Sequence, residues 1–463
     1  MPENANVRPP PAAPPAAHGV TYREAFRVWL YIGLNSFGGP AGQIAVMHRV
    51  LVEQRRWVSE ARFLHALNYC MLLPGPEATQ LAVYVGWLLH RTLGGLTAGI
   101  LFVLPGALFM LALSMLYAGF HGMALVAGLF FGLKPAVLAV VLEAVLRIGR
   151  RALKNAVMVA LAAASFVALF LLEVPYPAVV IAAGLIGLAG SRFRPAVFQA
   201  AGGPAVKDES LLGDDVPAHA RPSGARAARV LAVSLALWFG PLALLAAWGA
   251  PPLFLDVGVF FSKAAVVTFG GAYSVLAYIA QQAVETYGWL KPGEMLEGLG
   301  LAETTPGPLI LVTQFIGFLA GYRHPGGWAP MAAGAAAAAL TAWVTFLPSF
   351  LFIFLGAPYI EALRRHRGLS AALSAITAAV VGVVLNLAVW FGLHTLFGTV
   401  NDLRGLGLRL LAPDWASVSW PSVALAVGAA VALFRLKAGM LLTLGASAGL
   451  GLLYVLAFGL PAP

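Results

Sequence analysis

One pair of motifs occurs twice in this chain at a fixed spacing. Phe37-Gly38-Gly39 is followed by Pro74-Gly75-Pro76, and Phe269-Gly270-Gly271 by Pro306-Gly307-Pro308, each second copy lying 232 residues after the first. Glu53 and Trp57 recur as Glu285 and Trp289 at the same offset. A chain repeated in this register folds as two related halves. Each half holds an apolar segment broken twice by Gly and Pro, which is a sequence pointer to a transporter site. The likeness continues beyond the motifs. Leu104-Pro105 matches Leu347-Pro348, and the run Ala136 to Leu142 matches Ala379 to Leu385, both at an offset of 243. The 11 extra residues fall after the second Pro-Gly-Pro, around Arg323 to Gly327.

Of the 463 residues, 60% are hydrophobic and 10% charged, against about 25% charged in soluble domains. The apolar residues form long blocks, so the expected fold is an all-α polytopic membrane protein. A transmembrane β-barrel would show short alternating segments instead. The net charge of +10 comes from basic residues at segment ends, which read as cytoplasmic anchors and not as a nucleic-acid surface. The single cysteine, Cys70, excludes an internal disulfide and a cysteine-rich metal site. No Walker loop, dinucleotide fingerprint, haem motif or metal-ligand cluster is present, so no cofactor, no metal and no enzymatic activity are expected.

The expected layout has a disordered Pro/Ala-rich tail at 1–20, not a signal peptide, and an N-terminal repeat at 21–191. A polar cytoplasmic linker at 192–226, an unpaired membrane helix at 227–250 and a C-terminal repeat at 251–460 follow. Residues 22–90 and 253–322 read as broken or re-entrant helices. Conventional spans are expected near 93–118, 123–147, 155–173 and 175–191, then 228–249, 328–355, 370–397, 419–434 and 437–459. Placing the basic joints at Arg147 to Lys154, Arg192 and Arg194, Arg364 to Arg367, and Arg435 and Lys437 in the cytoplasm makes every matched pair of spans run in opposite senses. The halves are then inverted repeats, with N-terminus and linker inside a bacterial inner membrane. Arg404 and Arg409 fall outside and conflict with this orientation.

Broken helices that meet at the membrane midplane expose unpaired backbone N–H groups and positive dipole ends. Starts at Gly38, Gly39, Pro74, Gly75, Pro76, Gly270, Gly271, Pro306, Gly307 and Pro308 therefore suit an anion. Neutral donors beside them are Asn35, Ser36, Gln43, Thr79 and Gln80 in the first half, and Thr268, Ser274, Thr304, Thr305, Thr313 and Gln314 in the second. A Ser or Thr in a membrane helix can equally bond its own backbone. Lys263 either pairs with a dianion or snorkels to the interface. Charged residues at membrane depth are functional candidates, which singles out Glu77, Glu143 and Glu303 for coupling. Glu77 can also act as a capping acid. His48 is a further coupling candidate because it is an imidazole, but it lies near a segment end.

At these residues the sequence resembles the chromate ion transporters. The likeness is carried by Ser36 to Gln43 with Met47-His48, by Pro74 to Leu81, by Phe269 to Tyr273 and by Glu303 to Leu309, and it spans roughly residues 22–458 in the manner of the long, two-domain members. The resemblance implies export of chromate from the cytoplasm, a resistance function, and an ion gradient or membrane potential as energy source. Sulfate, of the same shape and charge, is the natural competitor, and a sulfate or other oxyanion carrier stays open, as does, more remotely, an intramembrane enzyme. The partners expected are chromate and the lipid bilayer, with a homodimer left open.

Overall fold

A computed structural model describes residues 19–71, 73–198, 223–269, 271–359, 367–405 and 407–459. Most of the expected tail and linker, together with Gly270, Arg364 and Arg365, lie outside the described residues. Among those described, seven helices are long and apolar enough to cross a membrane, and three shorter apolar helices accompany them. The protein is a multi-pass, helical membrane protein.

The first half begins with α1 (Tyr22–Asn35), whose start is capped by the Thr21 hydroxyl accepting from the Glu24 amide at 3.2 Å. It stops at Ser36-Phe37-Gly38, where Gly38 adopts a left-handed φ of +89°. The chain restarts as α2 (Gly39–His48), with Pro40 in the first turn, where its missing N–H costs nothing. A π-helical turn at Arg49–Gln54 leads to α3 (Glu60–Cys70), capped by Ser59. After Pro74-Gly75-Pro76 comes α4 (Glu77–Phe120), interrupted by non-helical His90 and Arg91. That kink separates an inner arm from a full span, as the sequence predicts. Four elements complete the half: α5 (Ala124–Ala152), α6 (Ala156–Phe170), α7 (Tyr176–Phe193) and the short α8 (Pro195–Phe198). The unmatched α9 (Gly224–Ala247) follows.

The second half has the same plan. α10 (Pro252–Val267), α11 (Ala272–Gln281) with a π turn at Gln282–Thr286, α12 (Pro292–Thr304) and α13 (Val312–Arg323) supply the broken elements. α14 (Pro330–Gly356), α15 (Arg367–Leu396), α16 (Trp420–Ala430) and α17 (Met440–Phe458) supply the later helices. The repeat reaches the backbone. The Trp57 amide bonds the Leu51 carbonyl at 2.8 Å, and the Trp289 amide bonds Ala283 at 2.8 Å, both members displaced by 232 residues.

One feature departs from the expected all-α fold. An antiparallel hairpin, β1 (Val400–Gly405) and β2 (Leu408–Pro413), occupies the joint between α15 and α16. Its register sets Arg404 opposite Arg409, a like-charge pair that alone would be unfavourable. Arg409 is neutralised by Glu173 at 3.0 Å, Glu285 at 3.0 Å and Asp402 at 3.2 Å, and Arg404 by Glu173 and Asp402. These arginines are thus tied into a surface carboxylate cluster, which weakens their weight as orientation signals.

Glycines let the helices close on one another. Gly95 lies against Phe354 and Gly99 against Phe350, so α4 and α14 run antiparallel. Gly187 of α7 meets Ala371 and Ala372 of α15. Gly132 of α5 accepts the Ser447 hydroxyl of α17 at 2.7 Å on its carbonyl, and a β-carbon there would sit 2.9 Å from Gly451 and closer still to the Ser447 backbone. Gly132→Leu should therefore force α5 and α17 apart and destabilise the fold by about 1–3 kcal/mol or more. Gly240→Leu, with nothing within 4 Å of its β-carbon position, should not. Thermal unfolding of the two purified variants in one detergent checks the contrast; equal melting would refute it.

Candidate functional site: a vestibule where the broken helices meet

The two broken regions are bonded to each other across the halves. The Gly75 amide donates to the Thr268 carbonyl at 2.7 Å, and the Gly307 amide donates to the Ser36 carbonyl at 2.8 Å. Donor and acceptor of the second bond each lie 232 residues from those of the first, so the contact is reciprocal, as across a two-fold axis. Each Pro-Gly-Pro turn thus supplies a donor to a carbonyl at the opposite Phe-Gly-Gly break. Gly75 and Gly307 adopt φ of +119° and +104°, a region that favours glycine. A β-carbon on Gly75 would lie 3.1 Å from Ser349 Oγ, and one on Gly307 would lie 3.1 Å from Gly106 Cα. Gly106 and Ser349 are themselves repeat counterparts at the 243 offset. Gln43 reinforces the crossing by donating to the Gly307 carbonyl at 2.6 Å.

Beside this crossing lies a cavity of about 210 Å³. The start of α2 (Pro40, Ala41) and the start of α11 (Gly271, Ala272, Tyr273) both open onto it, as do Gly75 and Glu77. Its remaining polar wall is Arg147 and Arg151 of α5, with Thr377 of α15. Two helix starts and two guanidinium groups face one space, an arrangement whose positive potential suits an anion. Two carboxylates guard the same helix starts. Tyr273 donates its hydroxyl to Glu303, whose Oε2 is unpartnered and would lie 3.6 Å from a β-carbon on Gly39. Glu77 Oε1 would lie 3.2 Å from one on Gly271. Each carboxylate therefore occupies the mouth of the opposite half's helix. Among the described residues no group of His, Cys, Asp or Glu is arranged to hold a metal.

The sequence places this arrangement among known proteins. A family model described as chromate transporter matches residues 23–188 and 255–452. A chromate transport protein of Pseudomonas aeruginosa is 34% identical over 383 residues, covering 81% of this chain and 81% of its own. One from Cupriavidus metallidurans is 27% identical over 404 residues, covering 87% of this chain and 90% of its own. The chain belongs to the chromate transporter family. An uncharacterized transporter of Bacillus subtilis, YwrB, is 29% identical over 134 residues, which is 68% of its length but 29% of this chain. No solved structure matches.

Within this chromate transporter family member the predicted residues separate into three groups. Gly38, Gly39, Pro74, Gly75, Pro76, Gly271, Pro306, Gly307, Pro308, Gln43, Glu77 and Glu303 lie at the crossing or its cavity; Gly270 lies outside the described residues. Thr79, Gln80 Oε1 and Gln314 Oε1 are buried without partners, while the Gln80 and Gln314 amides donate to Pro74 at 2.7 Å and Ala107 at 2.9 Å. The second group turns inward on its own helices. Asn35, Ser36, Thr268, Thr304, Thr305 and Thr313 all donate to carbonyls three or four residues back, the alternative that membrane hydroxyls commonly take. Ser274 likewise bonds Phe269 and Gly271 carbonyls. The third group stands elsewhere. Lys263 is exposed and does not line the cavity. His48 lies 2.5 Å from Glu60 and 3.1 Å from Glu53. Glu143 pairs with Arg147 at 3.8 Å, so it touches the site through that arginine.

Arg147 and Arg151 are not recognisable as cavity residues from the sequence. Their clustering with Arg150 and Lys154 reads as a loop anchor, and only the tertiary fold turns two of them toward the breaks. Nor is a second charge cluster, centred on the buried Glu297, recognisable from the sequence. Glu297 lies 3.2 Å from Lys134, accepts from Tyr117 at 2.5 Å and lies 3.6 Å from His121. The Glu297 carboxylate raises the proton affinity of His121 in the α4–α5 turn, partial burial opposing it. Glu294 pairs with Arg323 at 2.5 Å nearby.

Gly75→Ala and Gly307→Ala should each abolish or severely reduce transport while the protein still reaches the membrane, because each forces a strained left-handed residue into the crossing, at about 1–3 kcal/mol. Membrane abundance and chromate flux measured together check this; full flux in either variant would make the turns mere kinks.

Proposed function

We propose that this protein is a secondary transporter that exports chromate, a tetrahedral XO4 dianion, from the cytoplasm across the bacterial inner membrane and so confers chromate resistance. The observation that carries the proposal is the convergence of the α2 and α11 starts with Arg147 and Arg151 on one cavity. The related chromate transport proteins point to the same ion.

The halves are proposed to be inverted repeats comprising 21–191 and 251–460, separated by the linker 192–226 and the helix 227–250, whose odd crossing reverses the second half. Contacts between helix ends support this. The Asn155 amide side chain reaches Val197 at 2.9 Å, Gly187 meets Ala371, and Arg226 donates to the Phe354 carbonyl at 3.3 Å. Those contacts gather the ends of α5, α7 and α14 and the starts of α6, α9 and α15 at one end of the bundle. Glu173, Glu285 and the hairpin meet at the other end. Thus α5 ends where its counterpart α15 begins. The first end carries Arg147, Arg150, Arg151, Lys154, Arg192, Arg194, Arg226 and Arg229, and is assigned to the cytoplasm.

On that assignment the cavity opens inward, and its repeat image toward the outside is shut. At the 243 offset Arg147, Ile148 and Arg151 correspond to Trp390, Phe391 and His394. Phe391 is fully buried, and the Trp390 and His394 rings pack at 4.3 Å. Lys134, the counterpart of cavity-lining Thr377, is engaged by Glu297. The conformation described is then inward-open, and alternating access would exchange the two vestibules. An inner mouth with two arginines and an outer one with aromatic rings favours loading from the cytoplasm. Outward movement of a dianion across an inside-negative membrane gains roughly 2.3 kcal/mol per charge per 100 mV.

Glu77 and Glu303 couple this movement to protons by competing with the oxyanion for the helix starts; protonation removes the competing charge. In everted vesicles the protein should accumulate labelled chromate intact, with sulfate as competitor. Conversion to Cr(III) without accumulation would end the transporter reading, and uptake of sulfate alone would redirect it to another oxyanion. Arg147→Gln and Arg151→Gln should each raise the chromate KM roughly tenfold, the loss of one charge-assisted contact. Glu303→Gln should flatten the dependence of uptake on pH; an unchanged profile would remove Glu303 from coupling.

A further inference from the structure

A second and larger cavity, about 840 Å³, lies away from the crossing, between α4, α9 and α14. We propose that it is a binding site for one anionic diacyl phospholipid, its phosphate at Arg226 and Arg229 and an acyl chain in the groove below them.

The groove exists because α9 is pinned to the bundle at two levels and stands off between them. At one level Arg226 donates to the Phe354 carbonyl at 3.3 Å and lies 5.3 Å over the Trp87 ring. At the other, Trp343 donates its indole N–H to the Leu237 carbonyl at 2.8 Å, and the Trp238 indole reaches Ser262 at 3.0 Å. The α9 residues lining the groove are Arg226, Arg229, Val230, Val233, Ser234 and Leu237. This spacing of three and four is one face of a helix. From Arg226 to Leu237 at 1.5 Å per residue the face is about 16 Å long, roughly half of a ~30 Å hydrocarbon core, which is the depth of one leaflet.

The chemistry along that length is graded as in a lipid. Both charges are at one end, on the side that also carries Arg150, Arg151 and Lys154. Below them the wall is apolar, with Gly99 and Ala107 of α4 and Ala339 and Ala342 of α14 leaving room. No carboxylate lines the groove among the described residues. A phosphate diester can meet two guanidinium groups, and basic pockets between membrane helices take acidic headgroups. A second copy of the chain seated here would instead bury the exposed Arg229 against apolar helix surface, which is costly for a charge.

Native mass spectrometry of the detergent-purified full chain, with phosphatidylglycerol or phosphatidylcholine of identical acyl chains, tests the assignment. The expected result is retention of phosphatidylglycerol with a roughly tenfold preference, two basic contacts contributing. R229Q, which changes an exposed side chain without touching the Trp87 and Phe354 contacts of Arg226, should reduce that preference several-fold. S234W, which fills the groove and keeps both arginines, should lose both lipids while melting near the parent temperature. Equal retention of the two lipids by the parent, an unchanged preference in R229Q, undiminished binding in S234W, or a lipid-free dimer that S234W disrupts would each overturn the proposal.

Discussion

Two backbone hydrogen bonds, Gly75 to Thr268 and Gly307 to Ser36, make the interior of this protein possible. A helix broken at membrane depth leaves amides and carbonyls unpaired, at several kcal/mol each where lipid supplies no partner. In each of the two bonds the Pro-Gly-Pro turn of one half pairs with the break of the other. The crossing therefore welds the halves and permits the breaks. It also sets strict local demands, met by positive-φ glycines and by the small residues Gly106 and Ser349 that approach them. The partnerless Thr79, Ser349 and Glu303 Oε2 around the crossing are polar capacity that the fold leaves unspent.

The repeat makes the frame symmetric, whereas the chemistry along it is not. Trp57 and Trp289 follow matching π turns and make matching bonds, so these positions serve the frame. Arg147 and Arg151 against Trp390 and His394, or Thr377 against Lys134, differ in charge where the frame is the same. An exporter with equivalent mouths would have no preferred side for loading. In the proposed mechanism these substitutions give it one, with Glu297 holding Lys134 on the side that is closed.

Most of the frame was legible in the sequence, because helices in lipid announce themselves by length and their interruptions by Gly and Pro. The four breaks, the kink near His90 and seven of the nine expected spans fall where composition places them, whereas the segments expected at 155–173 and 419–434 are the shorter helices α6 and α16. The hairpin at 400–413 was not legible: its strands are short, and Arg404 opposite Arg409 is stable only with Glu173 and Glu285, more than a hundred residues away. Within the site, glycines and prolines were readable from local backbone chemistry. Hydroxyl roles were not, since whether Thr305 faces an ion or its own Leu301 carbonyl depends on a rotamer. Arg147 and Lys263 illustrate the same limit in charge. An arginine near a helix end looks like an anchor and a lysine near a break looks like a ligand, yet the helix crossing brings the first to the cavity and leaves the second exposed.

In the proposed mechanism the placement of Glu77 and Glu303 gives the crossing a function beyond support. Each carboxylate comes from one half and sits at the helix start of the other. Neither is a repeat counterpart of the other, since Glu77 follows its Pro-Gly-Pro turn and Glu303 precedes its own. A positive helix start facing a tethered carboxylate is already partly neutralised, so an incoming dianion must displace it or find it protonated. The same geometry that closes the backbone bonds between halves thus holds a carboxyl group against each candidate binding point. Movement of one half relative to the other would change both distances together, and ion binding, proton occupancy and the position of the halves would then be linked through one set of contacts.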